Sequence, residues 1–556
     1  MKKFFAFLAL AVTCALALPF GLASAQRSGL NPSHRAADAA AANNNSADER
    51  FIIKFRQFGK FASDDVRARG GQVVRELPEL ASVAARLPEH ARVALQNNPN
   101  VEFIEVDPRR YPMQTGAPWS DLPIAGTNET TPYGIQMVQA DQVSDSLAAN
   151  RKVCIIDSGY KDAHEDLMDR TSGHVTASTN AGTGDPYRDY DSHGTHVAGT
   201  IAGLRNGTGV VGVLPSGTVN LHIVKVFGDN GAWAYSSDLA AAVQQCRDAG
   251  SNVVSMSLGG LGGSVTEQNA FQNAYNAGVL SIAAAGNDGN TATNYPAGYS
   301  SVVSVAAVDN AEAHATFSNV NADVEIAAPG VATLSSIAYK DTQTLGVNGT
   351  TYTGHHVEYA ALSTPSGVTA TLVGGGLCDT TGGGAWTGKV VLCERGTISF
   401  YDKVHNVQLG GGAAAVIYNN LAEPLFATLG EGNSSTIPAI GLSQADGQAA
   451  LAQAGSVGTV SSYEDQTFNN VYDYFNGTSM ATPHVSAVAA LVWSYNPSWT
   501  NAQIRNALTA TARDKGTAGR DTTFGYGIVQ AKAALDYLSA PPAGPAAPSG
   551  LVVTAT

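Results

Sequence analysis

Apolar and polar positions alternate on two different scales along the chain. From Arg50 the runs are short: "RFIIKF" predicts a strand, "SDDVRARGG" a helix, "QVVREL" a strand, "LPEHARVALQNNPN" a helix and "VEFIEVDP" a closing strand. This β-α-β-β type of alternation defines a small α+β domain over residues 50–110. After a Pro-, Gly- and Thr-rich loop (111–132) the texture changes. "KVCIID", "VNLHIVKVF", "NVVSMSL", "VLSIAAAG", "VVSVAAV" and "EIAAPG" are nearly continuous apolar runs, separated in part by helical stretches such as "SSDLAAAVQQCRDAG" and "VTEQNAFQNAYNAG". Unalternated strands between helices predict an α/β fold, a parallel sheet buried on both faces by helices. In such sheets ligands bind beyond the carboxyl ends of the strands.

The first α/β part covers 111–337. Over 338–468 Gly, Thr and Val dominate, with "GKVVLCERG" and "AAAVIYNN" as strands, so a mostly-β module is inserted there. The α/β pattern resumes over 469–540 with "NGTSMATPHV" and helices over 498–512 and 527–538. Residues 541–556, "APPAGPAAPSGLVVTAT" from its second letter, predict a Pro/Ala linker and the first strand of a further domain.

The ends and the composition add a compartment. Lys2 and Lys3, an apolar run over 4–18 and Ala23-Ser24-Ala25 form a secretory signal peptide, residues 1–25, and predict export to the extracellular medium. Residues 26–49, rich in Ala, Asn and Ser, predict a disordered spacer. No later segment is apolar enough to span a bilayer, so no membrane association is expected once the signal is removed. A net charge of −14 without basic runs argues against nucleic acid. Cys14 leaves with the signal. Cys154, Cys246, Cys378 and Cys393 remain and allow three connectivities, of which pairing within regions (Cys154–Cys246, Cys378–Cys393) is the simplest; buried free thiols are the alternative.

Three short motifs stand beside strand ends. "VCIIDSG" puts Asp157 directly after a buried strand, "DSHGTHVAGT" puts His193 at a glycine-flanked helix start, and "NGTSMATP" puts Ser479 at another. Taken singly, each has a plain structural reading: a turn former, a polar helix start and a helix cap. Together, in one parallel α/β domain, they are an acid, a base and a nucleophile. A serine hydroxyl is a weak nucleophile near neutral pH and needs such a base.

On these motifs the chain resembles the subtilisin-like serine proteases (subtilases), over residues 128–337 and 469–538. The resemblance implies a subtilisin-like fold and a serine endopeptidase in which Ser479 attacks, His193 takes the proton and Asp157 orients the imidazole. It implies Asn287, in "AAAGNDGN", as the oxyanion donor. Residues 50–108 resemble the family's inhibitory propeptide, which would make the protein a zymogen with its own propeptide as intramolecular inhibitor, cut near 108–120. Residues 338–468 resemble the protease-associated (PA) domain. Protein or peptide substrates would pair with two extended edges, Ser257, Leu258, Gly259 and Gly260 on one side and Gly231 and Trp233 on the other. Ala284 and Gly286 would wall the primary pocket, with Asn294 near its base making it shallower and more polar. Tyr235 would line the pocket three residues further from the scissile bond. For Trp233 and Tyr235 surface packing is the alternative.

A structural Ca²⁺ is also implied, held by Asp166, Glu129, Asn206 and the carbonyls of Leu204, Thr208 and Val210. Oxygen-only ligands suit calcium rather than zinc. A peptide-binding scaffold without turnover and an esterase are the competing functions; the complete set Asp157, His193, Ser479 and Asn287 weighs against the first, and the peptide-pairing edges weigh against the second. The oligomeric state is not specified, a monomer being the simpler expectation.

Overall fold

The continuous apolar runs form a seven-stranded, wholly parallel sheet. Its order is Ile326–Pro329, Val302–Val308, Leu280–Ala284, Val253–Met256, Lys152–Asp157, Asn220–Lys225 and Val175–Ser178. The computed structural model of the protein describes residues 49–113, 128–180, 182–228, 233–421, 425, 427–430 and 433–540. The signal peptide, nearly all of the spacer, Gly231 and the C-terminal linker lie outside them.

Alternate residues of each strand serve opposite faces, as the two-residue period requires. Val153 and Ile155 join the core under the helices His193–Ala202 and Thr478–Ser494. Cys154 and Ile156 join the core under Ser236–Asp248 and Val265–Asn276. Because both faces are covered, the strands carry no polar alternation. The helix Thr478–Ser494 is buried along its whole length, which explains its apolar sequence on every side. The edge strand Val175–Ser178 is short and only partly buried, and no apolar run announces it.

The small N-terminal domain is a four-stranded antiparallel sheet in the order Gln72–Leu77, Ser82–Arg86, Arg50–Phe55, Val101–Val106. Helices Lys60–Ala68 and Glu89–Gln96 supply Ala62, Val66, Ala91 and Leu95 to its own core with Phe51, Ile53 and Phe55. Leu77 and Leu80 instead enter the core of the large domain beside Leu239, Val243 and Phe271.

The inserted module hangs from a two-stranded neck, Thr333–Ser336 paired antiparallel with Tyr472–Phe475. Beyond it lies a nine-stranded sheet, running from Lys340–Val347 to Val457–Asp465 in sequence, with the helices Phe400–Leu409 and Gln444–Leu451 packed on it. Both disulfides are formed within regions, Cys154 with Cys246 and Cys378 with Cys393.

Candidate active site

The parallel strand order places three of the motif residues at the carboxyl ends of neighbouring central strands of the large sheet. Asp157 ends the strand Lys152–Asp157, Ser257 follows Val253–Met256, and Asn287 follows Leu280–Ala284. Ser479 is the second residue of the central helix and His193 the first residue of its neighbour. Helix starts direct free N–H groups and a partial positive charge at whatever lies before them.

His193 Nδ1 lies 2.7 Å from Asp157 Oδ1, and both side chains are fully buried. Burial alone would lower the imidazole pKa, but the Asp157 charge and hydrogen bond outweigh it and hold the pKa above its ordinary value. Asp157 Oδ1 also accepts from the Ser158 N–H at 2.7 Å, which fixes the carboxylate plane. His193 Nε2 has no hydrogen-bond partner among the described residues. The Ser479 hydroxyl donates not to it but to the Ser257 carbonyl, at 3.0 Å.

The N-terminal domain delivers a strand to this site. Arg109–Pro112 lies between two edges, pairing antiparallel with Leu258–Gly259 on one side and Ala234–Tyr235 on the other. Pro112 faces Leu258, Tyr111 faces Gly259 and Arg110 faces Ala234. The next residue continues the register, with the Met113 N–H donating to the Ser257 carbonyl at 3.1 Å. Its own carbonyl accepts from Asn287 Nδ2 at 2.6 Å and from the Ser479 N–H at 3.2 Å. The Asn287 amide cannot turn away, because its Oδ1 accepts from the Thr478 N–H (2.9 Å) and hydroxyl (2.8 Å). The strand thus continues to Met113 and brings its carbonyl to the Ser479 N–H and Asn287 Nδ2.

Two carboxylates anchor the strand by occupying helix starts. Asp107 accepts from the Ser236 hydroxyl, the Ser237 N–H and the Ser237 hydroxyl at 2.9, 2.9 and 2.7 Å. Glu105 accepts from the Ser264 hydroxyl and the N–H groups of Val265 and Thr266 at 3.0, 2.8 and 3.0 Å. Each complements free donors and a helix dipole at once.

The expected edge residues are distributed as follows. Gly260 pairs with Tyr295, and a Cβ there would collide with the Arg109 carbonyl, so only glycine lets the strand approach. Trp233 carries the Arg109 guanidinium on its ring face at 4.2 Å. The Tyr235 ring lies under the Arg50 guanidinium at 4.0 Å, while its backbone pairs with Arg109. Asn294 is buried with Nδ2 donating to the Ala284 carbonyl at 3.0 Å, next to Gly259 and Gly286; its Oδ1 has no partner among the described residues.

Sequence reasoning missed Met113 and Glu267. Glu267 sits in the first turn of Val265–Asn276 and holds Arg110. No signal in the sequence singles it out, since its neighbours Thr266, Gln268 and Asn269 are polar and Ser264 three residues earlier reads as a helix cap.

The residues expected around calcium come from three segments that meet at the loop 204–210. Asp166 accepts from the Val210 N–H (2.5 Å) and Asn206 Nδ2 (3.0 Å), and Glu129 accepts from the Gly207 N–H (2.9 Å). No cluster of three or more His, Cys, Asp or Glu side chains converges among the described residues. The Asp166 carboxyl is nevertheless buried and faces no side-chain cation, and burial pushes its pKa up to about 6. A buried carboxylate beside further oxygen-bearing side chains fits a calcium ion, provided Asn206 turns its Oδ1 inward in place of Nδ2 and the bond from the Tyr472 hydroxyl is exchanged for the ion.

Comparison with known proteins agrees with this architecture. Residues 148–372 and 430–527 match the subtilase family, and residues 368–450 match the PA domain. The chain is 40% identical to subtilisin DY of Bacillus licheniformis over 240 residues, 42% of this chain and 84% of that protein. It is 27% identical to subtilisin NAT of Bacillus subtilis subsp. natto over 508 residues, 89% of this chain and 93% of that one. Among solved structures, fervidolysin from Fervidobacterium pennivorans shares the fold, with a TM-score of 0.53 and 23% identity over 88% of this chain and 61% of that chain. A serine endopeptidase is the class that these matches define. The chain belongs to the subtilase family and carries an inserted PA domain.

Proposed function

We propose that the protein is a secreted endopeptidase made as a zymogen, working by an Asp157–His193–Ser479 triad. The observation that carries the reading is the Met113 carbonyl held between Asn287 Nδ2 and the Ser479 N–H at the end of a doubly paired strand. A substrate strand would take the same path after the N-terminal domain leaves.

The chemistry follows from the groups at hand. The Ser479 hydroxyl turns from the Ser257 carbonyl toward His193 Nε2 and gives it the proton as Oγ bonds to the carbonyl carbon. Asp157 stabilises the imidazolium and keeps Nε2 facing the serine. The carbonyl oxygen takes the negative charge and is held by Asn287 and the Ser479 N–H. Collapse breaks the C–N bond, His193 passes the proton to the leaving amine, and water repeats the sequence to release the acid. In the precursor the first such bond is Met113–Gln114. Residues 50–113 then remain as a product-like inhibitor until removed, held by Asp107, Glu105 and the strand pairing. Export rests on the N-terminal charge and apolar run and suits the two disulfides.

Maturation itself tests the proposal. The full chain, expressed with export, should yield a casein-hydrolysing protein whose new N-terminus, read by mass spectrometry, is Gln114. A chain that neither cuts there nor hydrolyses casein ends the reading.

Calcium belongs to the same proposal. Asp166, Glu129 and Asn206, with the carbonyls of Leu204, Thr208 and Val210, would hold the ion, which would supply the missing positive charge and tie the loop to the strand region. Bound ion at a hundredfold over its Kd stabilises by about 2.7 kcal/mol. For a domain of this size that is a shift in Tm of about 3–5 °C. EGTA should lower the Tm of the mature protein by that amount and speed autolysis, and added Ca²⁺ should restore both; an unchanged Tm removes the site.

A further inference from the structure

The pocket that takes the fourth residue before the scissile bond is built for arginine. Counting back from Met113, that residue is Arg110, whose side chain is completely buried. Its Nε donates to Glu267 Oε1 at 3.1 Å and its Nη2 to Glu267 Oε2 at 2.5 Å, a two-pronged ion pair with both side chains at 0% exposure. Nη1 donates to the carbonyls of Arg109 (2.9 Å) and Leu261 (3.4 Å), and Nη2 also to that of Gly262 (3.0 Å). All five guanidinium N–H groups therefore have an acceptor.

Glu267 is itself held in place. The Tyr299 hydroxyl donates to Glu267 Oε2 at 2.7 Å and accepts from the Ser264 N–H at 2.8 Å, so a group of the large domain orients the carboxylate independently of Arg110. Leu261, Gly262, Ser264, Glu267 and Tyr299 all belong to the large domain. Of the acceptors around the guanidinium the N-terminal domain supplies only the Arg109 carbonyl, which any peptide in the same register supplies through its own backbone; its Glu105 caps the neighbouring helix start at Ser264, Val265 and Thr266.

We propose that Glu267 is a specificity-determining residue and that the mature enzyme prefers substrates with arginine four residues before the cleaved bond. The inference rests on the cleft register set out under the proposed function. A leucine there would leave the buried Glu267 carboxylate without a counter-charge, the Tyr299 hydroxyl being its one remaining side-chain donor among the described residues, and a glutamate would oppose it with like charge. A lysine carries the charge but not the planar fork, so it satisfies one carboxylate oxygen and leaves carbonyls bare. One residue further out, the Trp233 face that carries Arg109 adds a weaker preference for a second cation.

The test uses four chromogenic peptides with the protein's own residues, acyl-Xaa-Tyr-Pro-Met-p-nitroanilide, where Xaa is Arg, Lys, Leu or Glu. With the mature wild type, kcat/KM should fall in that order, and Arg should exceed Leu by about 30-fold or more, the range for removing one partner of a buried, hydrogen-bonded charge pair. Glu267→Gln keeps the size of the side chain and should cut the Arg-to-Leu ratio to within about threefold, mainly by lowering the Arg rate. Glu267→Leu should favour the Leu peptide. Cleavage of all four wild-type substrates at similar rates overturns the proposal while leaving the endopeptidase reading intact. Cleavage of none, or at another bond, overturns the register and with it both. The wild-type series decides the question even if a variant fails to fold.

Discussion

Ser479→Ala should leave a folded precursor whose casein hydrolysis is lower by about 10⁶-fold, the magnitude being taken from subtilisin itself, the reference case for this chemistry. Folding should survive because the hydroxyl does little for it. Its one hydrogen bond goes to the Ser257 carbonyl, which still accepts from the Met113 N–H at 3.1 Å. The net loss is about 0.5–1.5 kcal/mol for that bond, offset in part by the better helix propensity of alanine. The Ser479 N–H and Asn287 Nδ2 would still grip the Met113 carbonyl, so the N-terminal domain would stay docked and uncut. On a gel the variant should run as one full-length band where the wild type gives two fragments. A variant that matures at the wild-type rate would place the nucleophile elsewhere.

The strand-forming runs are legible because the large sheet is buried on both faces. Val153 and Ile155 serve one core and Cys154 and Ile156 the other, which leaves a run with no polar interruption. Asp157, His193 and Ser479 are legible for a related reason: each abruptly ends or begins such a run. The strand Arg109–Pro112 is not. It has no alternation, contains a proline that demotes it as a strand, and exists only because two edges more than a hundred residues away in sequence receive it. Its register, on which the proposed scissile bond rests, is set by tertiary pairing.

Glu267 was hidden for a different reason. Ser264 followed three residues later by Glu267 is the pattern of a helix-capping box. Half of the box forms, with the Ser264 hydroxyl accepting from the Glu267 N–H at 3.2 Å. The other half does not: the Ser264 N–H goes to the Tyr299 hydroxyl, and the carboxylate turns to Arg110. A local motif fully explains the residue types while the structure uses them for something else. Trp233 is the converse case, an aromatic with a plain surface reading that in fact carries Arg109.

Asn287→Ala should lower kcat by about 10²–10³ with KM changed by less than about threefold, a loss known from the same donor in subtilisin and adopted here as the scale. The split follows from where affinity and catalysis reside. In the proposed register affinity would come from the two backbone edges and the fourth-residue pocket, and Asn287 bonds to neither. Its Nδ2 touches only the reacting carbonyl oxygen, at 2.6 Å, where charge rises from partial to full as Ser479 attacks. A donor fixed in advance strengthens most at that moment, since its orientation is already set by Thr478. Deletion leaves the Ser479 N–H as the remaining donor at 3.2 Å. Asn287→Asp should be worse than alanine, because it sets a negative charge against the growing oxyanion. Steady-state kinetics on the acyl-Arg-Tyr-Pro-Met anilide give both constants. A loss that falls on KM instead of kcat would mean that Asn287 holds the substrate rather than the transition state, and the oxyanion assignment would fail.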